Sequence, residues 1–295
     1  MTRREFMLLF GSVTAIALWP FGRVRAAVPG APAPRLNPIG LGSWGTFNVG
    51  SDPAGRANAL AVIRAFFAEG GNLIDSSPMY GSSNEVIGAA LAQLAYPKPL
   101  FAAEKVWTSG DGAAQIEDTR KRWGLPRFDL IQVHNLTDWE TKLPLLFEMK
   151  AAGKLGFVGI TTSHGRRHAD LERIMRTQPI DFVQLTYNLR DREPEQRLLP
   201  LAAERGIRVI ANRPFQRKDL LDWAMRHPLP PWAKDIDCRS WAQVLLKFIV
   251  SHPAVTVAIP ATSQVVHLQE NMAAARGRMP DAAFRDLMVK FAEGS

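Results

Sequence analysis

The sequence predicts a (β/α)8 barrel, the fold also known as a TIM barrel. Short apolar runs alternate with helical patterns eight times over about 250 residues, which is the size and rhythm of such a barrel. Glycine ends several of the helical segments, as is typical before a following strand. The alternative is a doubly wound open sheet. It is disfavoured because the glycine-rich turn 40–45 has the wrong spacing for a dinucleotide motif and opens no helix directly.

Each predicted strand is an apolar run bounded by glycine, proline or polar residues. The eight strands cover residues 39–42, 72–75, 100–106, 128–134, 157–161, 182–187, 207–211 and 255–259. The helices are predicted from apolar residues three and four positions apart, together with their caps and glycine stops. They cover residues 53–69, a segment starting at 83, then 113–123, 143–152, 169–176, 194–205, 219–226, 241–252, 265–276 and 281–292.

Ionisable side chains stand at the ends of three neighbouring strands, namely Asp75, Lys105 and His134. Tyr80 follows Asp75 in the next loop, after a Ser-Ser-Pro sequence that blocks continuation of the strand. Because the carboxyl ends of barrel strands share one face, these four residues are expected to line one arc of it. Each alone is more often a cap, a rim lysine or a satisfied polar residue. Together they form a set capable of proton transfer.

Composition limits the classes of function. The 295 residues are 46% apolar, enough for a globular core, and their net charge is +8 with basic residues scattered along the chain. Scattered charge indicates a solvated surface and no nucleic-acid partner. The single cysteine, Cys238, excludes an internal disulfide, and the six histidines show no spacing typical of a metal site. Beyond the N-terminus, no apolar run is long enough for a membrane span.

Residues 1–26 are interpreted as a twin-arginine export signal. Arg3 and Arg4 precede Glu5 and Phe6, a mildly apolar segment covers 7–19, and small residues lie at 24–26. Alternatives are an amphipathic extension or a retained membrane anchor. Residues 27–38 are interpreted as a linker and 39–295 as the barrel domain. We therefore expect a periplasmic or otherwise exported protein whose partner is the twin-arginine export machinery.

Seven segments in order resemble the aldo-keto reductase family. Their positions are 40–45, 75–85, 104–106, 129–134, 159–161, 183–188 and 257–271. This resemblance implies that the protein reduces an aldehyde or ketone with NAD(P)H, and that Asp75, Tyr80, Lys105 and His134 are its catalytic residues. Tyr80 would be the general acid. The resemblance also implies that Lys105 lowers the pKa of the phenol, while Asp75 pairs with Lys105 and His134 orients the carbonyl.

The same resemblance implies NADP as the cofactor, with NAD as the alternative. Ala261 and His267 stand where NADP-preferring members of the family place a lysine and an arginine. Thr162 replaces an asparagine, and Asn212 replaces a tyrosine that stacks on the nicotinamide. The cofactor-binding residues predicted in this way are Ser43, Trp44, Thr161, Thr162, Gln184, Asn212, Arg213, Pro214, Phe215, Ala261, Thr262, Ser263, His267, Glu270 and Asn271.

Two other functions remain open at the level of sequence. One is a non-catalytic barrel that binds a nicotinamide cofactor or senses redox state; the changes at Thr162 and Asn212 favour it, and the complete set of four catalytic residues argues against it. The other is an aldolase in which Lys105 forms a Schiff base. For the substrate pocket, Trp44 and Trp107 form either an apolar wall or part of the core.

Overall fold

The structure is a computed structural model in which residues 35–294 are described. The predicted export signal and most of the predicted linker lie outside the described residues. Eight parallel strands form one sheet in chain order. They are β1 (Leu41–Gly42), β2 (Leu73–Asp75), β3 (Phe101–Val106), β4 (Phe128–Val133), β5 (Leu155–Thr161), β6 (Phe182–Thr186), β7 (Arg208–Asn212) and β8 (Val255–Ala258).

Hydrogen bonds between β8 and the chain around β1 close this sheet into a barrel. Gly40 N donates to Ala258 O at 2.8 Å, and Ala258 N donates to Pro38 O at 2.9 Å. Gly42 N donates to Pro260 O at 2.9 Å. The predicted (β/α)8 barrel is therefore confirmed, although β1 is shorter than predicted because only two of its residues form a continuous ladder with β2.

Helices follow the strands as the barrel requires, and two of them lie between β7 and β8. They are α1 (Pro53–Ala68), α2 (Ser83–Gln93), α3 (Gly112–Trp123), α4 (Trp139–Ala151), α5 (His168–Thr177), α6 (Leu198–Arg205), α7 (Asp219–Ala224), α8 (Trp241–Val250), α9 (Val265–Ala273) and α10 (Ala282–Glu293). Short 3-10 helices cover His134–Leu136, Glu193–Gln196 and Pro231–Ile236. None of the helices within 35–294 has the length and apolar character needed to cross a membrane.

The two faces of the strands bury different cores. Residues such as Leu73, Phe101 and Phe182 form an apolar layer inside the barrel, whereas Ala102 and Val106 pack toward the helices. Because side chains alternate along a strand, the inward positions beyond the apolar layer include Asp75 and Lys105. The barrel therefore changes from apolar to polar toward the carboxyl ends of its strands, where sites of this fold are built.

Candidate active site

Asp75 and Lys105 form a buried ion pair at the polar end of the barrel. Lys105 Nζ lies 2.5 Å from Asp75 Oδ1 and donates a second hydrogen bond to Ser76 O at 2.6 Å. Burial alone would lower the pKa of Lys105, but Asp75, Tyr80 and Glu104 outweigh it and raise that pKa. A lysine held as an ammonium is a poor nucleophile, so this geometry disfavours the Schiff-base function.

Tyr80 lies against this ion pair. Its ring centre is 5.1 Å from Lys105 Nζ, and the two side chains are hydrogen bonded. Burial raises the pKa of Tyr80 and outweighs the lowering effect of Lys105, while Asp75 and Glu104 raise it further. Lys105 thus acts on the phenol in the expected direction, and the larger effect is burial, which could not be read from the motif. At neutral pH the phenol keeps its proton, as a general acid must.

His134 opens the 3-10 helix after β4, one residue beyond the end of the strand. Its ring is edge-on to that of Tyr80, with the ring centres 5.8 Å apart. Burial, followed by the charge of Lys105, lowers the pKa of His134 to about 3, so the imidazole is neutral. Ser77 Oγ accepts from Met79 N at 3.2 Å and lies 2.8 Å from His134 Nδ1. If the Ser77 hydroxyl donates to Nδ1, the ring proton is on Nε2, which is then a hydrogen-bond donor.

Two glutamines hold the second oxygen of Asp75. Gln132 Nε2 donates to Asp75 Oδ2 at 3.1 Å, and Gln184 Nε2 donates to the same atom at 2.9 Å. Sequence reasoning missed Gln132 and Ser77. Strand alternation would have indicated Gln132, because it lies between Leu130 and His134 on the inward face of β4. Gln184 was predicted as a cofactor residue, and here its amide group also supports Asp75.

A cavity of about 520 Å³ opens at the carboxyl ends of the strands and contains Tyr80 and His134 in its wall. The other predicted site residues in its wall are Ser43, Trp44, Asp75, Thr161, Gln184, Asn212, Arg213, Pro214, Phe215 and Ala261. Lys105 lies buried beneath this wall and Thr162 is buried beside it. The remaining predicted cofactor residues are outside the wall, in the segment after β8, and comprise Thr262, Ser263, His267, Glu270 and Asn271.

Asn212, at the end of β7, forms hydrogen bonds with residues at the ends of β5 and β6. Its Nδ2 donates to Thr162 O at 2.8 Å, and its Oδ1 accepts from Thr186 Oγ1 at 2.8 Å. Thr161 Oγ1 donates to Gln184 Oε1 at 3.2 Å in the same layer. The Asn212 side-chain amide therefore borders the cavity at the end of β7. After β5, Thr162 replaces the asparagine of the family and supplies no side-chain amide.

The turn from β8 into α9 is suited to an anion. Thr262 Oγ1 accepts from Gln264 N at 3.1 Å, which shapes the turn. Gln264 occupies the position before the helix, and its side chain makes no capping hydrogen bond. The first N–H groups of α9 are thus without a side-chain cap, and helix N-termini of this kind bind phosphate groups.

Trp44 and Trp107 were predicted either to form an apolar wall of the cavity or to pack in the core. Trp44 is 46% exposed and Trp107 is 42% exposed, so neither belongs to the core. Only Trp44 of these two borders the cavity. An apolar wall is therefore present on the β1 side of the cavity.

Comparison with known proteins identifies a matching protein family. The sequence model described as the aldo/keto reductase family matches residues 38–288. Among curated proteins, methylglyoxal reductase YeaE of Escherichia coli is 28% identical over 247 residues, which is 81% of this chain and 85% of that protein. Aldo-keto reductase str7 of Strobilurus tenacellus is 24% identical and covers 85% of this chain and 89% of its own length.

Solved structures show the same fold. An aldo/keto reductase from Klebsiella pneumoniae, in complex with NADP and acetate, superposes with a TM-score of 0.75 at 24% identity, covering 87% of this chain and 91% of its own. The glycerol dehydrogenase of Gluconobacter oxydans has a TM-score of 0.74 at 20% identity, covering 90% of this chain and 94% of its own.

Proposed function

The chain belongs to the aldo/keto reductase family, and from that premise we propose that it reduces an aldehyde or ketone to an alcohol with NADPH. The observation that carries the proposal is the contact of Tyr80 with the Lys105–Asp75 ion pair at the cavity wall. The similarity to a methylglyoxal reductase and to a structure solved with NADP supports it. NADP is proposed over NAD even though Ala261 and His267 supply weaker charge than a lysine and an arginine.

The residues of this chain account for the proton and for the orientation of the carbonyl. Tyr80 donates its proton to the carbonyl oxygen, and the charge of Lys105 stabilises the phenolate that remains. Asp75 holds Lys105 in place, and Gln132 and Gln184 in turn hold Asp75. His134 donates from Nε2 to the same oxygen and so orients it. The nicotinamide, when bound, supplies the hydride.

The residues present fit a dinucleotide. Gln184 and Asn212 are in the wall of the cavity, and the uncapped start of α9 suits a phosphate. On α9, His267 is exposed, Glu270 is half-buried and Asn271 is buried. Their three- and four-residue spacing places them on one side of the helix, where we propose that they meet the adenosine half.

The test is reduction of an aldehyde followed at about 340 nm, the nicotinamide absorbance band, with Tyr80→Phe as the variant. We expect turnover to fall by at least about 100-fold, as for loss of a general acid, while fluorescence titration shows nearly unchanged NADPH binding. Tyr96→Phe is the matched control, because Tyr96 lies in the loop between α2 and β3. Wild-type turnover in Tyr80→Phe would exclude the mechanism.

The same titration separates the second candidate, a non-catalytic nicotinamide-binding or redox-sensing barrel. Its support is that Gln184 is engaged with Asp75 and that Asn212 replaces an aromatic residue. Tight NADPH binding without turnover of any carbonyl compound would favour the sensor. Loss of NADPH absorbance that depends on added aldehyde would favour the reductase.

We further propose that the protein is exported by the twin-arginine pathway to the periplasm or beyond. The support is the sequence of residues 1–26, with Arg3 and Arg4 ahead of an apolar segment. Cell fractionation should find the double variant Arg3→Lys, Arg4→Lys inside the cytoplasm. Export of that variant at the wild-type level would exclude this pathway.

A further inference from the structure

Glu104 is a buried carboxyl group that takes no direct part in proton transfer. It precedes Lys105 on β3 and is 0% exposed. Its Oε1 accepts from Lys105 N at 2.8 Å, while Oε2 has no hydrogen-bond partner among the described residues. Because neighbouring residues of a strand point to opposite faces, Glu104 points toward the helices and is outside the cavity wall. It can therefore act on the reaction only through the residues around it.

On the strands, the positive charge that acts on Glu104 is that of Lys105, and Asp75 acts in the opposite sense. Lys105 Nζ is already paired with Asp75 Oδ1 at 2.5 Å. The position beside Glu104 on β4 is the apolar Ile131. A negative charge on Glu104 would therefore compete with Asp75 for the charge of one lysine.

On the helices, neutral groups face Glu104. The side chain of Asn84, on α2, is hydrogen bonded to Glu104 and accepts from Trp123 Nε1 of α3 at 2.9 Å. The charged Glu85 and Arg122 of the same two helices pair with each other and are about half exposed. Burial therefore dominates, and it raises the pKa of Glu104 to about 8. The carboxyl group is neutral at neutral pH and ionises in mildly alkaline solution.

A charge on Glu104 reaches the reacting proton through Lys105 and Tyr80. Lys105 Nζ lies 5.1 Å from the ring centre of Tyr80, and the two side chains are hydrogen bonded. Burial is the largest cause of the raised pKa of Tyr80; among the charges, Lys105 lowers this pKa, whereas Asp75 and Glu104 raise it. When Tyr80 gives its proton to the carbonyl oxygen, negative charge develops on the phenol beside Lys105. A charged Glu104 opposes that development, whereas a neutral Glu104 does not.

We propose that Glu104 is a positioning residue of the reductase: its neutral carboxyl group leaves the charge of Lys105 to the developing phenolate, and reduction slows when Glu104 ionises. This inference rests on the proposed reductase function. Tyr80 gives its proton to the carbonyl oxygen in both forms of the protein. Glu104 exchanges its own proton with solvent and changes only the free energy of the charge that develops on Tyr80.

The experiment is the pH profile of kcat/KM for the reduction of benzaldehyde, measured from pH 6 to pH 10 at saturating NADPH. Benzaldehyde does not ionise in this range. For the wild type we expect kcat/KM to fall by about 3- to 10-fold around pH 8, since one pKa unit on Tyr80 corresponds to at most about 10-fold. Glu104→Gln has nearly the same shape and cannot ionise. Its profile should stay level through pH 8 and equal that of the wild type at pH 6.

Glu148→Gln is the matched control, because it removes an exposed carboxylate on α4 and should keep the wild-type profile. Glu104→Met is the second variant, and it should give the same level profile as Glu104→Gln although it also loses the hydrogen bond to Lys105 N. Circular dichroism at each pH should show folded protein. Wild-type protein returned from pH 9.5 to pH 7 should regain its activity. Fluorescence titration should find NADPH affinity unchanged, because Glu104 is outside the cavity wall.

A fall around pH 8 that persists in either Glu104 variant overturns the role of Glu104 and leaves the reductase standing. A wild-type profile that is level through pH 8 does the same. Unfolding of the wild type above pH 8 would assign the fall to stability and would also overturn this inference. Absence of wild-type turnover at every pH overturns both proposals.

Discussion

Asp75 and Glu104 are two buried carboxylates beside Lys105, and they lie on opposite faces of the sheet. Asp75 points into the barrel, where an ammonium and two amides donate to it. Glu104 points toward the helices and accepts from Lys105 N at 2.8 Å and from Asn84. Its Oε2 has no hydrogen-bond partner among the described residues.

The two acids are equally buried and differ in the hydrogen-bond donors around them. Asp75 is 2% exposed and Glu104 is 0% exposed. Burial raises the pKa of Glu104 to about 8, and the opposing effects of Lys105 do not offset it. Glu104 therefore carries a proton at neutral pH. Asp75, in contrast, accepts hydrogen bonds from Lys105 Nζ, Gln132 Nε2 and Gln184 Nε2.

Lys105→Met is expected to have the largest effect, because it leaves Asp75 as a buried carboxylate without its cation. We expect a loss of about 3–5 kcal/mol in the free energy of unfolding, along with loss of reductase activity. Urea denaturation measures the first quantity. Adding Asp75→Asn to this variant should restore part of the stability, since the two residues are coupled. A change below about 1 kcal/mol would show that the ion pair is not the main support of Asp75.

Glu104→Gln tests how the carboxyl group on the helix-facing side of the sheet makes stability depend on pH. The folded protein holds a proton on Glu104 up to a pKa of about 8, whereas a model glutamate loses it near 4.5. The unfolded chain therefore binds fewer protons in this window, and stability falls as pH rises from 4.5 to 8. The fall is up to about 1.4 kcal/mol for each pH unit. Glu104→Gln should remove that slope.

The measurement is the free energy of unfolding of both proteins at pH 5, 6.5 and 8. The difference between them should grow in favour of Glu104→Gln, by up to about 4 kcal/mol from pH 5 to pH 8. The charges of Lys105 and Asp75 also act on Glu104, and these two residues are the same in both proteins. Glu148→Gln, an exposed glutamate on α4, controls for the loss of a surface charge. Parallel curves would mean that Glu104 does not hold its proton.

The smallest effects come from single donors on each side of the sheet. Gln132→Met removes one of the three donors to Asp75 and should cost about 1.5–3 kcal/mol, the range for hydrogen bonds to a charged group. Trp123→Phe removes the 2.9 Å bond from Trp123 Nε1 to Asn84 Oδ1 near Glu104 and should cost about 1 kcal/mol. Thermal unfolding compares them. A larger loss of stability in Trp123→Phe than in Gln132→Met would contradict the expectation that the donors inside the barrel contribute more than those on the helix-facing side.

Much of the fold was predictable because its signals are local. Strands and helices follow from the spacing of apolar residues, and the order of strands follows from their alternation. The position of Asp75, Tyr80, Lys105 and His134 on one face is a consequence of that order. The ends of elements were less accurate: β4 ends one residue before His134, and β7 extends to Asn212.

By itself, the sequence determined the barrel, its active face and the identity of the four residues that meet there. The tertiary structure decided their charges and partners, since Gln184 reaches Asp75 across 109 residues of chain and burial raises the pKa of Tyr80. It also decided that Glu104 Oε2 has no hydrogen-bond partner among the described residues. Local patterns do not encode these outcomes, because desolvation and charge depend on everything that folds around a group.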